Sequence, residues 1–306
     1  MVDTMRGASA VLSRLIAGSL PWIPRPIVYR VARRYVAGVT MNDALATARS
    51  LAAQGLRSTT ALLGEHLHDP AQVEATVAEY VRLLEALERE GLEGGVSVKP
   101  THVGLSIDPG LCQASLERLA AEAARRGRFL RIDMEDHGTT DAALAIHRHL
   151  RQRHDNVGIV LQAYLKRTLD DIDALPPDSS VRLCKGIYVE PEELVVGGYD
   201  AVRANYLRAL ERLLARGAWT ALATHDELLI RESIELIGRS GRGENDWELQ
   251  MLLGVAPRLR QRLAVEGRRI RVYVPYGPEW YDYSLRRLRE NPRIAMHVLR
   301  AMVGRS

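Results

Sequence analysis

Eight short apolar or β-branched runs punctuate this chain. They are "LRSTTALL" (56–63), "GVSVK" (95–99), "FLRID" (129–133), "VGIVLQ" (157–162), "SVRLC" (180–184), "WTALAT" (219–224), "ELQML" (248–252) and "RIRVYVP" (269–275). Longer amphipathic stretches separate them, such as 71–91, 113–127, 139–154 and 256–267. Gly91, Gly127, Gly217 and Gly267 stand where such helices should stop. Strands that alternate with helices call for a parallel sheet. Eight such units fit an α/β (β/α)8 barrel of the TIM type, usually about 250 residues long. A doubly wound open sheet is the alternative. It usually brings a glycine phosphate loop, and neither GxGxxG nor GxxxxGKS occurs. The spacing in "MNDALATARSLAAQG" and its neighbours predicts an N-terminal helical segment over 1–54, with the catalytic barrel over 55–306.

Charge and cysteine usage narrow the classes of function. The net charge of +4 comes from 42 basic and 38 acidic residues, too small an excess to imply a nucleic-acid partner. Cys112 and Cys184 are the only cysteines, and neither sits in a zinc spacing. This pattern fits a reducing, cytoplasmic setting. No apolar run approaches the ~18 residues of a membrane span. The N-terminus resembles a signal peptide only faintly, because Asp3 and Arg14 interrupt its pattern, and an amphipathic helix is the expectation. At most a peripheral membrane contact is expected.

A barrel of this class carries its active site at the C-terminal ends of the strands. Those ends hold Glu65; Lys99 and His102; Asp133, Glu135, Asp136 and His137; Gln162 and Tyr164; Arg182, Lys185 and Tyr188; Thr224, His225 and Asp226; Glu248 and Gln250; and Tyr273 with Tyr276. Strand ends are often polar simply because they meet water. Lys99, Asp133, Gln162 and Arg182, however, lie within or just after apolar runs, where an unpaired charge is costly. They are expected to pair with each other or with a ligand. The cations point to an anionic ligand.

The stretch "YDYSLRRLRENP" (281–292) reads as a helix from Tyr281 to Glu290, stopped by Asn291 and Pro292. Its acid follows its arginines, the weaker order for a helix, and opposes the helix dipole. Adjacent arginines point about 100° apart. Arg286 and Arg287 can share one ligand only if the helix lies across the barrel mouth, where their forks suit a carboxylate. On spacing alone, a solvated helix with a chance Arg-Arg pair is the favoured reading. Arg258, Arg260, Arg262, Arg268, Arg269 and Arg271 read as the solvated face of a helix and a strand start.

Other chemistries leave weaker traces. His66, His68 and His225, with Asp133 and Glu135, could serve a metal-dependent barrel hydrolase. Strand 8 lacks the acid that such a site expects, and strand 5 lacks a histidine. No GxSxG occurs for a serine triad. Cys184 reads as a buried small apolar residue rather than a nucleophile. A non-catalytic barrel that binds an anion also remains open.

The motifs "LLGE" (62–65), "VSVKPTHVGL" (96–105), "RIDMED" (131–136), "VLQAYLKRT" (160–168), "VRLCKGIY" (181–188), "ATHD" (223–226), "WELQMLLGV" (247–255), "RVYVPYG" (271–277) and "YSLRRLREN" (283–291) occur together in this order. In this the chain resembles the FAD-dependent proline dehydrogenases of single-function bacterial type. The resemblance implies a distorted barrel whose last helix sits over the mouth. It implies oxidation of L-proline to Δ1-pyrroline-5-carboxylate by hydride transfer from C5 to flavin N5, with electrons passed to a quinone. Pyrroline-5-carboxylate dehydrogenase is an implied partner. By resemblance, Arg286, Arg287 and Lys99 take the substrate carboxylate, while Asp133, Tyr273 and Tyr283 line the pocket. Arg182 lies at flavin N5. Met134, Gln162, Lys185, Gly186, Ile187, Thr224, His225 and Glu290 contact FAD, and Glu65 pairs with the first arginine to close the site. "CKGIY" and "WELQ" depart mildly from the family's pattern.

Overall fold

The computed structural model describes residues 32–281 and 283–284. Among the described residues, strands and α-helices alternate: α1 (Met41–Ala52), β1 (Arg57–Leu62), α2 (Pro70–Arg89), β2 (Gly94–Val98), α3 (Pro109–Arg125), β3 (Leu130–Ile132), α4 (His137–Leu150), β4 (Val157–Gln162), α5 (Thr168–Asp173), β5 (Ser180–Cys184), α6 (Tyr199–Ala215), β6 (Trp219–Ala223), α7 (Glu227–Arg239), β7 (Trp247–Leu252), α8 (Pro257–Val265) and β8 (Ile270–Tyr276). All eight expected strands form. Each pairs in parallel with the next, and β8 returns to β1 from Arg57↔Arg271 through Leu62↔Tyr276. This closure rules out the open sheet.

Local chemistry starts the helices. Asp69 and Asp108 each accept a hydrogen bond from a backbone N–H of the turn they open, with Pro70 and Pro109 at the first helical position. Thr40 and Asp43 form a reciprocal capping box on α1. Before α1 the chain departs from the expected helix. Around Val36–Gly38 it is irregular and bonded to the end of β8, with Ala37 N–H donating to Pro275 O at 2.9 Å and Gly277 N–H to Gly38 O at 3.0 Å. Among the described residues, no helix is long and apolar enough to cross a membrane.

Successive side chains of a strand point to opposite faces, and the barrel uses both. Outward go Val96, Val98, Leu130, Ile132, Ile159, Leu161, Val181, Leu183, Leu249 and Met251, all buried under the helices. Burying each such aliphatic group is worth about 1.5–3 kcal/mol. Inward go Ser97, Arg131, Arg182, Glu248, Gln250, Arg271 and Tyr273, which are polar on every strand named. The barrel is thus held by its apolar outer layer, while its interior carries a set of paired charges among smaller residues such as Gly158, Val160 and Ala221.

The helix expected from Tyr281 onward begins in the described region. Trp280, Tyr281, Tyr283 and Ser284 are helical, and Tyr283 N–H donates to Glu279 O at 3.3 Å. Arg286, Arg287 and Glu290 lie outside the described residues.

Candidate active site

The inward charges form two levels. On the lower level, Arg131 donates through Nη1 to Ser180 O at 2.6 Å and Ile159 O at 3.1 Å, and through Nη2 to Ser180 Oγ at 2.9 Å. To do so it passes over Gly158, where an added Cβ would lie 2.3 Å from Arg131 Nη1. Arg271 donates to Glu248 Oε1 at 2.6 Å, to Glu248 Oε2 at 3.2 Å and to Ser58 O at 2.9 Å. Arg271 therefore does not belong to the solvated basic face that the sequence suggested. It sits two residues before Tyr273 on the same strand, so both point inward. Burial, then the neighbouring Arg182, pushes the Arg131 guanidinium well below its usual pKa, while Glu248 opposes the shift.

The upper level opens on the strand ends. Asp133, just past β3, accepts at Oδ1 from Ser97 Oγ at 2.6 Å and Arg182 Nη1 at 2.8 Å. Its Oδ2 accepts from the Tyr273 hydroxyl at 3.0 Å. Arg182 Nη1 also reaches Ser97 Oγ at 3.0 Å, and its Nε donates to Gln250 Oε1 at 2.5 Å. The guanidinium carbon stands 5.4 Å from the Tyr273 ring centroid. Burial, then the Asp133 charge, raises the Tyr273 pKa well above its ordinary value, which keeps its hydroxyl a donor. Asp133 and Arg182 thus satisfy the pairing expected of buried charges.

At the rim, Lys99 Nζ contacts Glu65 Oε2 at 3.0 Å. Glu65 was expected to meet the first arginine of the last helix. Arg286 is outside the described residues, and within them Glu65 pairs with Lys99. Glu135 is buried and accepts from Thr101 N–H at 2.9 Å and Thr101 Oγ1 at 2.6 Å; burial raises its pKa against those bonds. Gln162 Nε2 donates to Glu135 O at 2.9 Å. Met134 is buried beside Asp133. Tyr283 is buried against Val36 and Leu63, with Trp280 packed on them.

The β5 and β6 ends form a second, cationic corner. Lys185 Nζ lies 3.3 Å from Asp226 Oδ2 and 4.6 Å from the Tyr199 ring centroid. Tyr199 donates to Asp226 at 2.5 Å, and Arg203 approaches Asp226 at 3.4 Å. Asp226 N–H donates to Thr224 Oγ1 at 3.2 Å. Gly186 has φ +117°, and a Cβ there would sit 2.0 Å from the Tyr164 ring, so only glycine lets the chain turn here with Tyr164 packed on it. His225 Nε2 accepts from Leu252 N–H at 2.9 Å. His66 and His68 are exposed on the loop after β1. No group of three His, Cys, Asp or Glu side chains has metal-holding geometry among the described residues. The hydrolase reading therefore finds no support. Burial raises the Cys184 thiol to about 12, consistent with a packing role.

Reading only strand ends missed Ser97 and Arg131. The available signal was alternation. Arg131 and Asp133, Glu248 and Gln250, and Arg271 and Tyr273 are each two apart, so each pair shares the inward face.

A family model described as proline dehydrogenase matches residues 44–298. The proline dehydrogenase of Deinococcus radiodurans is 35% identical over 311 residues, which covers 99% of this chain and 99% of that protein. Proline dehydrogenase 2 of Bacillus subtilis is 34% identical over 264 residues, covering 85% of this chain and 86% of that protein. Among solved structures, proline utilization A of Bdellovibrio bacteriovorus superimposes with a TM-score of 0.79 at 21% identity. That alignment covers 85% of this chain and 32% of the longer one, and it speaks for the fold.

Proposed function

Since the chain belongs to the proline dehydrogenase family, we propose that it oxidises L-proline to Δ1-pyrroline-5-carboxylate, the first step of proline catabolism. The observation that carries this reading is the Asp133–Arg182–Tyr273 cluster at the barrel mouth, with the Lys99 ammonium paired to Glu65 at the rim. It offers fixed cations and an oriented carboxylate to a small zwitterion.

The residues present fit FAD. Lys185, Arg203 and Arg182 supply cations suited to a diphosphate and an electron-rich ring. In this proposal Gln162, the backbone at Met134, Lys185, Gly186, Ile187, Thr224, His225 and Glu290 would hold the cofactor, and Arg182 would lend its positive charge near the reactive nitrogen N5. When bound, FAD supplies the two-electron acceptor for the hydride that leaves C5 as the ring nitrogen forms the C=N bond.

The rest is the work of this chain. Arg286, Arg287 and Lys99 bind the substrate carboxylate and fix which ring carbon faces the cofactor. Such orientation can supply several kcal/mol of rate enhancement or more. Asp133 holds both the Tyr273 hydroxyl and the Arg182 guanidinium, so pocket wall and cofactor contact are set by one carboxylate. Tyr283 closes the pocket on the substrate ring, and Glu65, paired with Lys99 and in turn with Arg286, gates it. The ring nitrogen must be neutral to release its electron pair, so activity rises with pH until the amine is deprotonated. A quinone is the proposed final acceptor, and pyrroline-5-carboxylate dehydrogenase the proposed consumer of the product.

The test is L-proline-dependent reduction of a soluble quinone, with the cyclic imine product trapped by an aromatic amino-aldehyde. The expected result is quinone reduction and imine in equal amounts. Purified protein that forms neither contradicts the proposal.

A further inference from the structure

Arg182 meets three partners, and only Gln250 bonds its Nε. An amide could offer either its oxygen or its nitrogen. Gln250 offers the oxygen because its Nε2 is already committed, donating to Glu248 Oε1 at 2.7 Å. Glu248 is wholly buried, and Arg271 also grips it, through the same Oε1 at 2.6 Å and through Oε2 at 3.2 Å. A carboxylate can only accept, so it dictates which end of the Gln250 amide faces it. The other end then faces Arg182. With Nε held by Gln250 and Nη1 by Asp133 and Ser97, Nη2 is the one guanidinium nitrogen without a protein acceptor among the described residues.

We propose that Glu248 is a positioning residue for proline oxidation, acting through the Gln250 amide to aim the Arg182 guanidinium at the flavin. The proposal rests on the reading of Arg182 as a cofactor contact and goes beyond it. It assigns a role to a buried acid on β7 that touches neither substrate nor cofactor. It also accounts for Arg271, which neutralises Glu248 and holds its carboxylate in plane. A glutamine at 248 cannot do both tasks. If its oxygen keeps Gln250 in place, its amide nitrogen meets Arg271 Nη2, donor against donor. If it turns over, it presents a donor to Gln250 Nε2, and the Gln250 amide flips its own nitrogen toward Arg182 Nε.

The experiment compares Glu248→Gln, Glu248→Asp, Gln250→Met and Arg182→Lys in the flavin-loaded protein. It measures kcat, KM for L-proline, the visible spectrum and the midpoint potential of the bound flavin. Glu248→Gln and Gln250→Met are expected to lower kcat roughly 10- to 100-fold, the range for groups that orient a functional ligand from behind. KM should change by less than about threefold, because substrate binding in the ground state is untouched. Spectrum and potential should both shift, and Glu248→Asp should restore part of kcat. In flavin-free protein, the Arg182 Nε–H should exchange slowly with solvent in the wild type and rapidly in Gln250→Met. Should Glu248→Gln not fold, Gln250→Met, of similar volume, decides alone. Wild-type kcat, spectrum and potential in Gln250→Met overturn the proposal. If Arg182→Lys is also silent, the cofactor reading of Arg182 falls with it. If Arg182→Lys alone is impaired, that reading stands and only the role of Glu248 fails.

Discussion

Arg131 and Arg182 occupy the inner face of one barrel, both almost wholly buried, and their partners divide them. Arg131 spends its donors on Ile159 O, Ser180 O and Ser180 Oγ, neutral groups of the neighbouring strands. Arg182 is held by three side chains, Asp133, Ser97 and Gln250, two of them in turn fixed by Tyr273 and Glu248. Acceptors on the backbone fasten strands together. Acceptors on side chains can be arranged around a ligand, and they leave one edge of the guanidinium to be used. The same residue type is a strand fastener two residues below the mouth and a site residue at it. Counted together, the interior sets three guanidinium groups against two carboxylates. The excess positive charge lies under the mouth, where it favours an electron-rich ligand.

The comparison can be broken by substitution. Asp133→Ala should have the largest effect on turnover, lowering kcat about 100-fold or more, the scale for removing a preorganised polar group at a reacting centre. Flavin should remain bound. A folded but colourless variant would place Asp133 in cofactor retention instead. Arg131→Met should do the reverse. Loss of hydrogen bonds from a buried charged donor should cost about 3 kcal/mol of stability in denaturant unfolding. The surviving folded protein should turn over normally. A variant with wild-type stability and lost turnover would erase the distinction between the two arginines.

Smaller effects sharpen the picture. Arg287→Met should raise KM for L-proline roughly 10- to 100-fold, the value of one charge-assisted bond, and leave the flavin spectrum unchanged. An unchanged KM removes Arg287 from the carboxylate site. His147, on α4, is fully buried with neither ring nitrogen hydrogen-bonded among the described residues, and burial, then Arg131, lowers its pKa to about 3. His102 is likewise held at about 4, by burial and then Lys99. Both are neutral in the folded protein, whereas the unfolded chain takes up their protons below about 6.5. Their contribution to stability is therefore complete above that pH and is lost as pH falls toward 4 and then 3. His147→Leu should flatten this acid branch by up to about 1.4 kcal/mol per pH unit. His102 should leave a residual slope. Parallel stability curves for the two proteins would show that His147 does not titrate on unfolding.

Much of this was legible in the sequence because alternation and capping are local. The eight strands follow from β-branched runs bounded by glycine, and all eight form within a few residues of their expected bounds. Asp133 with Arg182 was legible as buried charges in need of partners. The lower level is harder to see, because Arg131, Glu248 and Arg271 lie inside their strands and not at the ends, and only two-residue alternation marks them as inward. Arg271 was hidden by its neighbours Arg268 and Arg269, which made an inward guanidinium look like part of a basic surface. The Lys99–Glu65 pair joins residues 34 positions apart, and only the pairing of β1 with β2 brings them together. Nothing in local sequence sets the orientation of the Gln250 amide, which needs Glu248 and Arg182 on either side.

The most direct test of the account is an anaerobic titration of the purified protein with L-proline, followed by visible absorbance. The account predicts a yellow protein whose flavin absorbance bleaches on adding proline and returns when a quinone is admitted. A colourless protein, or a yellow one whose spectrum proline leaves unchanged, would contradict it.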